Sequence, residues 1–289
     1  MRRVTTPEWQ SFLSSGNAGI GTLRWFMGLD GRVALVTGVS RQRGIGIAVA
    51  RHLGQLGAQL FLHGFTPYDR AQPWGAEAEG TEALANQLQQ DGITVAHLEA
   101  NFLDADAPKK VMNAAVATYG HVDILIGNHA YGTAEQQLAT VTAEEIDHHL
   151  LVNVRATLLL VQAFAAQHDG REGGRIVLLI SGQERFPMER ELAYSASKAA
   201  VNNLSKSLSS LLAGRSITVN AVNPGATDTG WASQDLIQRE LPMWPLGRWG
   251  EPDDAARLIA WLCADDAKWI TGQTINSDGG WRPWRWDPA

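Results

Sequence analysis

Tyr194, Lys198 four residues later and Ser181 thirteen residues before the tyrosine form a set suited to moving a proton onto a carbonyl oxygen. On a helix, positions four apart share one face, so the Lys198 ammonium can stabilise a Tyr194 tyrosinate and draw the phenol below its ordinary pKa of about 10. Each unit of such a shift is about 1.4 kcal/mol of preference for the anion, so one exposed lysine is too little and a second positive charge is expected nearby. An oxidised nicotinamide ring would supply that charge, which makes the set most sensible beside a nucleotide site. Tyr-x-x-x-Lys alone is a common helical pair, and only the elements around it can decide whether this one does chemistry.

Those elements begin near residue 32. Arg32-Val-Ala-Leu-Val-Thr37 is a short apolar run that reads as a buried parallel strand, followed by Gly38-Val-Ser-Arg-Gln-Arg-Gly44-Ile-Gly46 and an apolar, alanine-rich helical pattern. Glycines permit a tight turn and close approach to a pyrophosphate, and the free N–H groups of the following helix stabilise phosphate charge. Further strand patterns cover 59–63, 94–98, 122–126, 175–180 and 218–222, with 274–276 closing the sheet. Alternation with helical patterns predicts an α/β chain, a single doubly wound Rossmann-type domain around a seven-stranded parallel sheet with helices on both faces. Cofactors bind at the carboxyl ends of such strands, where Thr37, Asn128 and Ser181 fall. The polar and aromatic insertion 64–76, which includes Gly64-Phe-Thr-Pro-Tyr-Asp-Arg-Ala-Gln-Pro-Trp74, sits where an adenosine ribose should lie.

Taken together, these residues resemble the short-chain dehydrogenase/reductase superfamily from about Gly31 to Gly280, with beta-ketoacyl carrier-protein reductases the nearest broad likeness. Thr37 to Gly46 matches the family's cofactor loop, Asp123-Ile-Leu-Ile-Gly-Asn-His-Ala130 its fourth-strand segment and Asn153 its helix asparagine. Ser181, Tyr194 and Lys198 match its catalytic residues, Asn223-Pro224-Gly225 with Thr229 its nicotinamide-side loop, and Thr271 to Gly280 its C-terminal signature. The resemblance implies hydride exchange between a nicotinamide and a carbonyl or alcohol carbon, with Tyr194 as general acid/base and Ser181 holding the oxygen. It further implies that Lys198 tunes the phenol and bonds the nicotinamide ribose, and that Asn153 holds a relay water. The cofactor contacts it implies are Gly38, Ser40, Arg41, Arg43, Gly44, Ile45, Gly46, Gly64, Asn101, Asn128, Pro224, Gly225 and Thr229, besides Tyr194 and Lys198. It implies a homodimer or homotetramer built on helices around 153–167 and 195–212.

Two departures qualify the match. The first two glycines of the loop enclose five residues, Val39 to Arg43, where the family usually has three. That spacing is similar to divergent enoyl-carrier-protein reductases, whose active tyrosine stands seven positions before the lysine, but position 191 here is glutamate. Carbonyl chemistry is therefore the leading reading, with enoyl-thioester reduction and a catalytically inactive nucleotide-sensing module as alternatives. His129 replaces a small residue of the family pattern and is expected to pack and hydrogen-bond locally. NADP(H) is expected in preference to NAD(H), which stays possible, because Leu62-His63-Gly64-Phe65-Thr66 carries no carboxylate and a guanidinium suits a 2′-phosphate. Arg43 is the first choice for that phosphate, followed by Arg41 and Arg70.

Composition bounds the rest. The chain has 289 residues, 45% hydrophobic, with a net charge of −6 and scattered cations, which argues against nucleic-acid binding. A single cysteine, Cys263, rules out an internal disulfide, no metal site is expected, and a cytoplasmic setting fits. No segment reads as long and apolar enough to span a membrane, so no membrane association is expected. Residues 1–30 form an arm outside the family core, 31–280 the catalytic domain and 281–289 a tail. A substrate lid at about 230–250, rich in large apolar groups and including Trp231, Met243 and Trp244, suits a bulky carbonyl or alcohol.

Overall fold

The computed structural model describes residues 28–76, 78, 80–132 and 138–282, so most of the N-terminal arm and the tail with Trp284 and Trp286 lie outside it. Seven strands form one parallel sheet in the order β3-β2-β1-β4-β5-β6-β7. They are β1 Val33–Thr37, β2 Gln59–Gly64, β3 Val95–Glu99, β4 Ile124–Gly127, β5 Gly174–Leu179, β6 Ile217–Asn223 and β7 Thr274–Asn276. Every expected strand is present to within one or two residues. The order reverses between β1 and β4, and this switch point opens a crevice at the carboxyl ends of the strands.

Burial on both faces explains the continuous apolar runs. Along β1, Ala34 and Val36 join one core while Val33 and Leu35 join the other. The first core is covered by α1 (Ile45–Gln55), α3 (Gly80–Gln90) and α9 (Pro252–Cys263). The second is covered by α4 (Ala107–Tyr119), α6 (Ala156–Gln167) and α7 (Leu192–Leu212). Phe164 on α6 is fully buried, and truncating such a ring to alanine costs about 3–5 kcal/mol. Helix ends follow local rules: Gly120 closes α4 at φ +84°, which only glycine adopts freely. A capping box of Glu251 and Asp254 starts α9.

Two features go beyond the sequence reading. The insertion after β2 contains a short helix, α2 (Thr66–Arg70). Helix α5 (Ala143–His149) runs through a π-helical turn, Leu150–Arg155, into α6, and this continuous stretch, Ala143–Gln167, is long and apolar enough by length and composition to cross a membrane. The expectation that no segment meets that test is thus corrected. Ala156, Leu160, Val161 and Phe164 of this stretch fill the second core, while Ile146, Leu150 and Leu158 are exposed.

Candidate active site

Helix α7 brings two of the three expected catalytic groups onto one face. Lys198 is 3% exposed, and its Nζ donates to the Leu179 carbonyl at the end of β5 (2.9 Å), lying 5.7 Å from the Tyr194 ring centroid. Ser181, two residues beyond β5, stands near enough to the Tyr194 hydroxyl to favour its ionised form, and its own N–H donates to Gln183 Oε1 (3.0 Å). The chain therefore unites Ser181, Tyr194 and Lys198 at the carboxyl edge of β5.

The electrostatics differ from the expectation. Burial raises the Tyr194 pKa, the nearby Glu191 carboxylate adds to the rise, and the nearby Ser181 side chain opposes it. Burial also holds Lys198 down to about 8. Desolvation outweighs the pull of the lysine because the ammonium is tied to a backbone carbonyl and penalised by the same burial. Lowering the phenol then needs further positive charge beside it, as an oxidised nicotinamide supplies when bound.

Asn153 lies in the π-helical turn, a distortion that recurs at functional sites. Its Oδ1 accepts from the Tyr131 N–H (2.6 Å), and its Nδ2 donates to the Tyr131 carbonyl (3.0 Å) and to Ser197 Oγ (2.9 Å). Ser197 in turn donates to the Tyr194 carbonyl (2.7 Å), so Asn153 clamps the loop after β4 to the catalytic helix. Two neighbours have surroundings that the sequence did not show, although position 191 already weighed against enoyl chemistry. His149 is fully buried, with its ring edge-on to Tyr194 at 6.2 Å. Its Nδ1–H donates to the Glu145 carbonyl (2.7 Å), leaving Nε2 an acceptor without a partner among the described residues. Burial pushes the Glu191 carboxyl up, one turn before Tyr194. No motif marks His149, since a histidine at that position is commonplace on a helix.

The cofactor loop lies between the ends of β1 and β4. Gly38 has φ +73°, and a Cβ there would stand 2.8 Å from both Asn128 Nδ2 and the His129 backbone. Gly46 is equally tight, with the Gly38 carbonyl at 2.6 Å. Asn128 Nδ2 donates to the carbonyls of Thr37 and Gly38 (2.9 Å each), which fixes the loop. Helix α1 starts at Gly44 with no side chain capping it, leaving the N–H groups of its first turn, including those of Ile45 and Gly46, available to a phosphate. These features fit a dinucleotide. His129 packs locally as expected: Nε2 donates to the Val152 carbonyl (3.1 Å), Nδ1 meets Thr37 Oγ1 (2.8 Å), and burial keeps the ring neutral.

Several expected contacts have other partners. Arg43 pairs with Asp228 (2.8 Å) in the loop after β6, on the side of the glycine loop away from β2, and is 63% exposed. The first choice for a 2′-phosphate thus already faces a carboxylate here. Arg41 pairs with Asp69 (3.4 Å), stacks over Trp74 and donates to the Thr229 hydroxyl (2.9 Å). Arg70 donates to the Ala78 carbonyl (3.1 Å). A Cβ on Gly64 would lie 2.0 Å from Thr81 Oγ1 and 2.7 Å from the Val39 carbonyl, so this glycine serves packing. Asn101 closes its own turn by accepting from the Leu103 N–H (3.0 Å). Gly225 has φ +67° beside Pro224, and a Cβ there would meet Asp278 at 2.6 Å. In the lid, Trp244 is 3% exposed against Trp249 and Trp281, and Met243 packs in the same cluster. Only Trp231 of the three lid candidates is open to solvent, at 45%.

The sequence model of a protein family described as Enoyl-(Acyl carrier protein) reductase matches residues 38–282. The chain belongs to the short-chain dehydrogenase/reductase superfamily. An uncharacterized oxidoreductase of Bacillus subtilis, YjdA, is 38% identical over 251 residues, covering 86% of this chain and 96% of that one. The 3-oxoacyl-[acyl-carrier-protein] reductase FabG of Staphylococcus aureus is 34% identical over 250 residues, again covering 86% and 96%. A short-chain dehydrogenase from Burkholderia cenocepacia, solved in complex with NADP, superposes with a TM-score of 0.78 at 32% identity, over 87% of this chain and 98% of that one. This member of the superfamily is an NAD(P)-dependent oxidoreductase.

Proposed function

We propose that the chain transfers hydride between NADP(H) and a carbonyl or alcohol carbon, with Tyr194 as general acid/base and Ser181 holding the reacting oxygen. The gathering of Ser181, Tyr194 and the buried Lys198 at the carboxyl end of β5, with Lys198 Nζ 5.7 Å from the Tyr194 ring centroid, is the observation that carries this reading. In the reductive direction Tyr194 releases its proton to the oxygen, and the Ser181 hydroxyl strengthens its bond as negative charge develops there. The Burkholderia relative with bound NADP supports the choice of cofactor. Asn153 holds the catalytic helix in place, and a relay water near it remains part of the proposal. The family description favours enoyl-thioester reduction as the second reading; Glu191, standing where that chemistry would need a tyrosine, opposes it. A panel of ketones, alcohols and enoyl thioesters, followed at the nicotinamide absorbance with NADPH or NADP⁺, tests both. Turnover of enoyl thioesters alone would overturn the carbonyl reading.

Assembly as a homodimer or homotetramer belongs to the same proposal. Leu158 on α6 and Leu211 on α7 are 42% and 74% exposed on helices whose other faces fill the core. A monomer mass by light scattering at micromolar concentration would refute it.

A further inference from the structure

The insertion after β2 supplies none of the groups that transfer the proton, yet its side chains reach both sides of the crevice. The Gly132 N–H donates to the Tyr68 hydroxyl (2.9 Å), and that hydroxyl donates to the Gly132 carbonyl. The Tyr68 ring lies 5.4 Å from Tyr131, and a Cβ on Gly132 would stand 3.7 Å from the Tyr194 ring. Asp69 accepts from the Ser40 hydroxyl, from the Trp74 indole N–H (2.9 Å) and, as an ion pair, from Arg41 (3.4 Å). Sheet order gives these contacts their meaning. Tyr68 follows β2, Gly132 follows β4, and β1 lies between those two strands. A bond between the two segments must therefore pass over the carboxyl end of β1, where the glycine loop and the open first turn of α1 stand.

We propose that residues 66–74 form a strap across the dinucleotide cleft, with Tyr68 as a cofactor-positioning residue that latches it to Gly132 and Asp69 anchoring it to the glycine loop. This rests on the reading of that cleft as an NADP(H) site. Burial pushes the Tyr68 phenol up to about 12, so the hydroxyl keeps its proton and can donate to a carbonyl while accepting from an N–H, which a tyrosinate could not do. Opening the strap breaks both bonds and separates the Tyr68 and Tyr131 rings. A cofactor held beneath the strap would leave through that opening, and because the latch lies on the Tyr131 and Tyr194 side, NADPH and NADH should respond alike.

Stopped-flow release of NADPH and of NADH, read by their fluorescence, tests the strap directly. Tyr68→Phe keeps the ring and deletes both hydrogen bonds, and should speed release of both cofactors by about tenfold, given the usual worth of one or two such bonds. Asp69→Asn should speed release of both as well, by loosening the anchor. Thermal unfolding of each cofactor-free variant should stay near that of the parent, since the strap is peripheral to both cores. Unchanged release in both variants overturns the strap, as does faster release of NADPH alone. A parent that binds neither nucleotide would instead overturn the reading of the cleft.

Discussion

The two sides of the cleft are held together in different ways. On the catalytic side, Tyr194, Ser197 and Lys198 lie within two turns of one helix, and the Ser197 hydroxyl closes onto a carbonyl three residues back. Ser181 joins them across a single loop from β5 to α7. On the cofactor side, Ser40 is bonded from 29 residues away by Asp69, and Arg41 and Arg43 meet Thr229 and Asp228, 188 and 185 positions away. A reacting set carried on one helix survives changes elsewhere in the chain. A binding loop whose charges are paired by distant loops takes its specificity from those loops.

Variants can break this contrast, and the largest effects belong on the catalytic side. Tyr194→Phe should lower turnover on the order of a hundred- to ten-thousand-fold, and Ser181→Ala roughly a hundredfold or more, while cofactor binding measured by fluorescence stays close to that of the parent. Loss of cofactor binding in either variant would mean that the two sides are not separable.

Lys198→Met should also abolish turnover, yet raise stability. With a folded pKa of about 8 against an ordinary value of 10.5, the unfolded chain binds more protons between those two values. Stability should therefore rise with pH across that window, and the cost of the buried charge is fully present below about pH 8. Removing the charge should add on the order of 1–3 kcal/mol at pH 7 and flatten the slope, as read by denaturant unfolding at several pH values. A less stable variant with the slope intact would place the titration elsewhere.

On the cofactor side, Gly64→Ala should cost about 1–3 kcal/mol through overpacking against Thr81 and Val39, seen as a lower unfolding midpoint. Gly64→Asp would then report on folding more than on cofactor choice. The smallest effect is expected at Arg43. Its pair with Asp228 is largely exposed and worth at most about 1 kcal/mol, so Arg43→Ala should leave the ratio of NADPH to NADH affinity nearly unchanged. A selective loss of NADPH affinity would restore Arg43 as a phosphate ligand and sharpen the contrast in the other direction.

Much of the fold was legible because strands buried on both faces must be continuous apolar runs, and Val33–Thr37 or Gly174–Leu179 admit few other readings. The local packing of His129 was legible for a similar reason, since a strand-end imidazole among backbone carbonyls finds partners at once. Harder to read were His149, whose importance comes only from the helix crossing that brings the π-helical turn against α7, and the burial of Glu191, which its place one turn before Tyr194 does not reveal. The raised phenol of Tyr194 was missed because a spacing of four residues says nothing about how deeply a helix face is buried.

The sequence by itself determined the doubly wound sheet, the glycine turn into α1 and the single-helix placement of Tyr194 and Lys198. Each depends on periodicity or backbone freedom within a dozen residues, where chain connectivity leaves little choice. Only the tertiary structure decided which carboxylate each loop arginine meets, why Gly64 has no side chain, and that Tyr68 reaches Gly132. Long charged and aromatic side chains have many reachable partners, and the one chosen depends on segments that connectivity leaves free and that packing alone brings together.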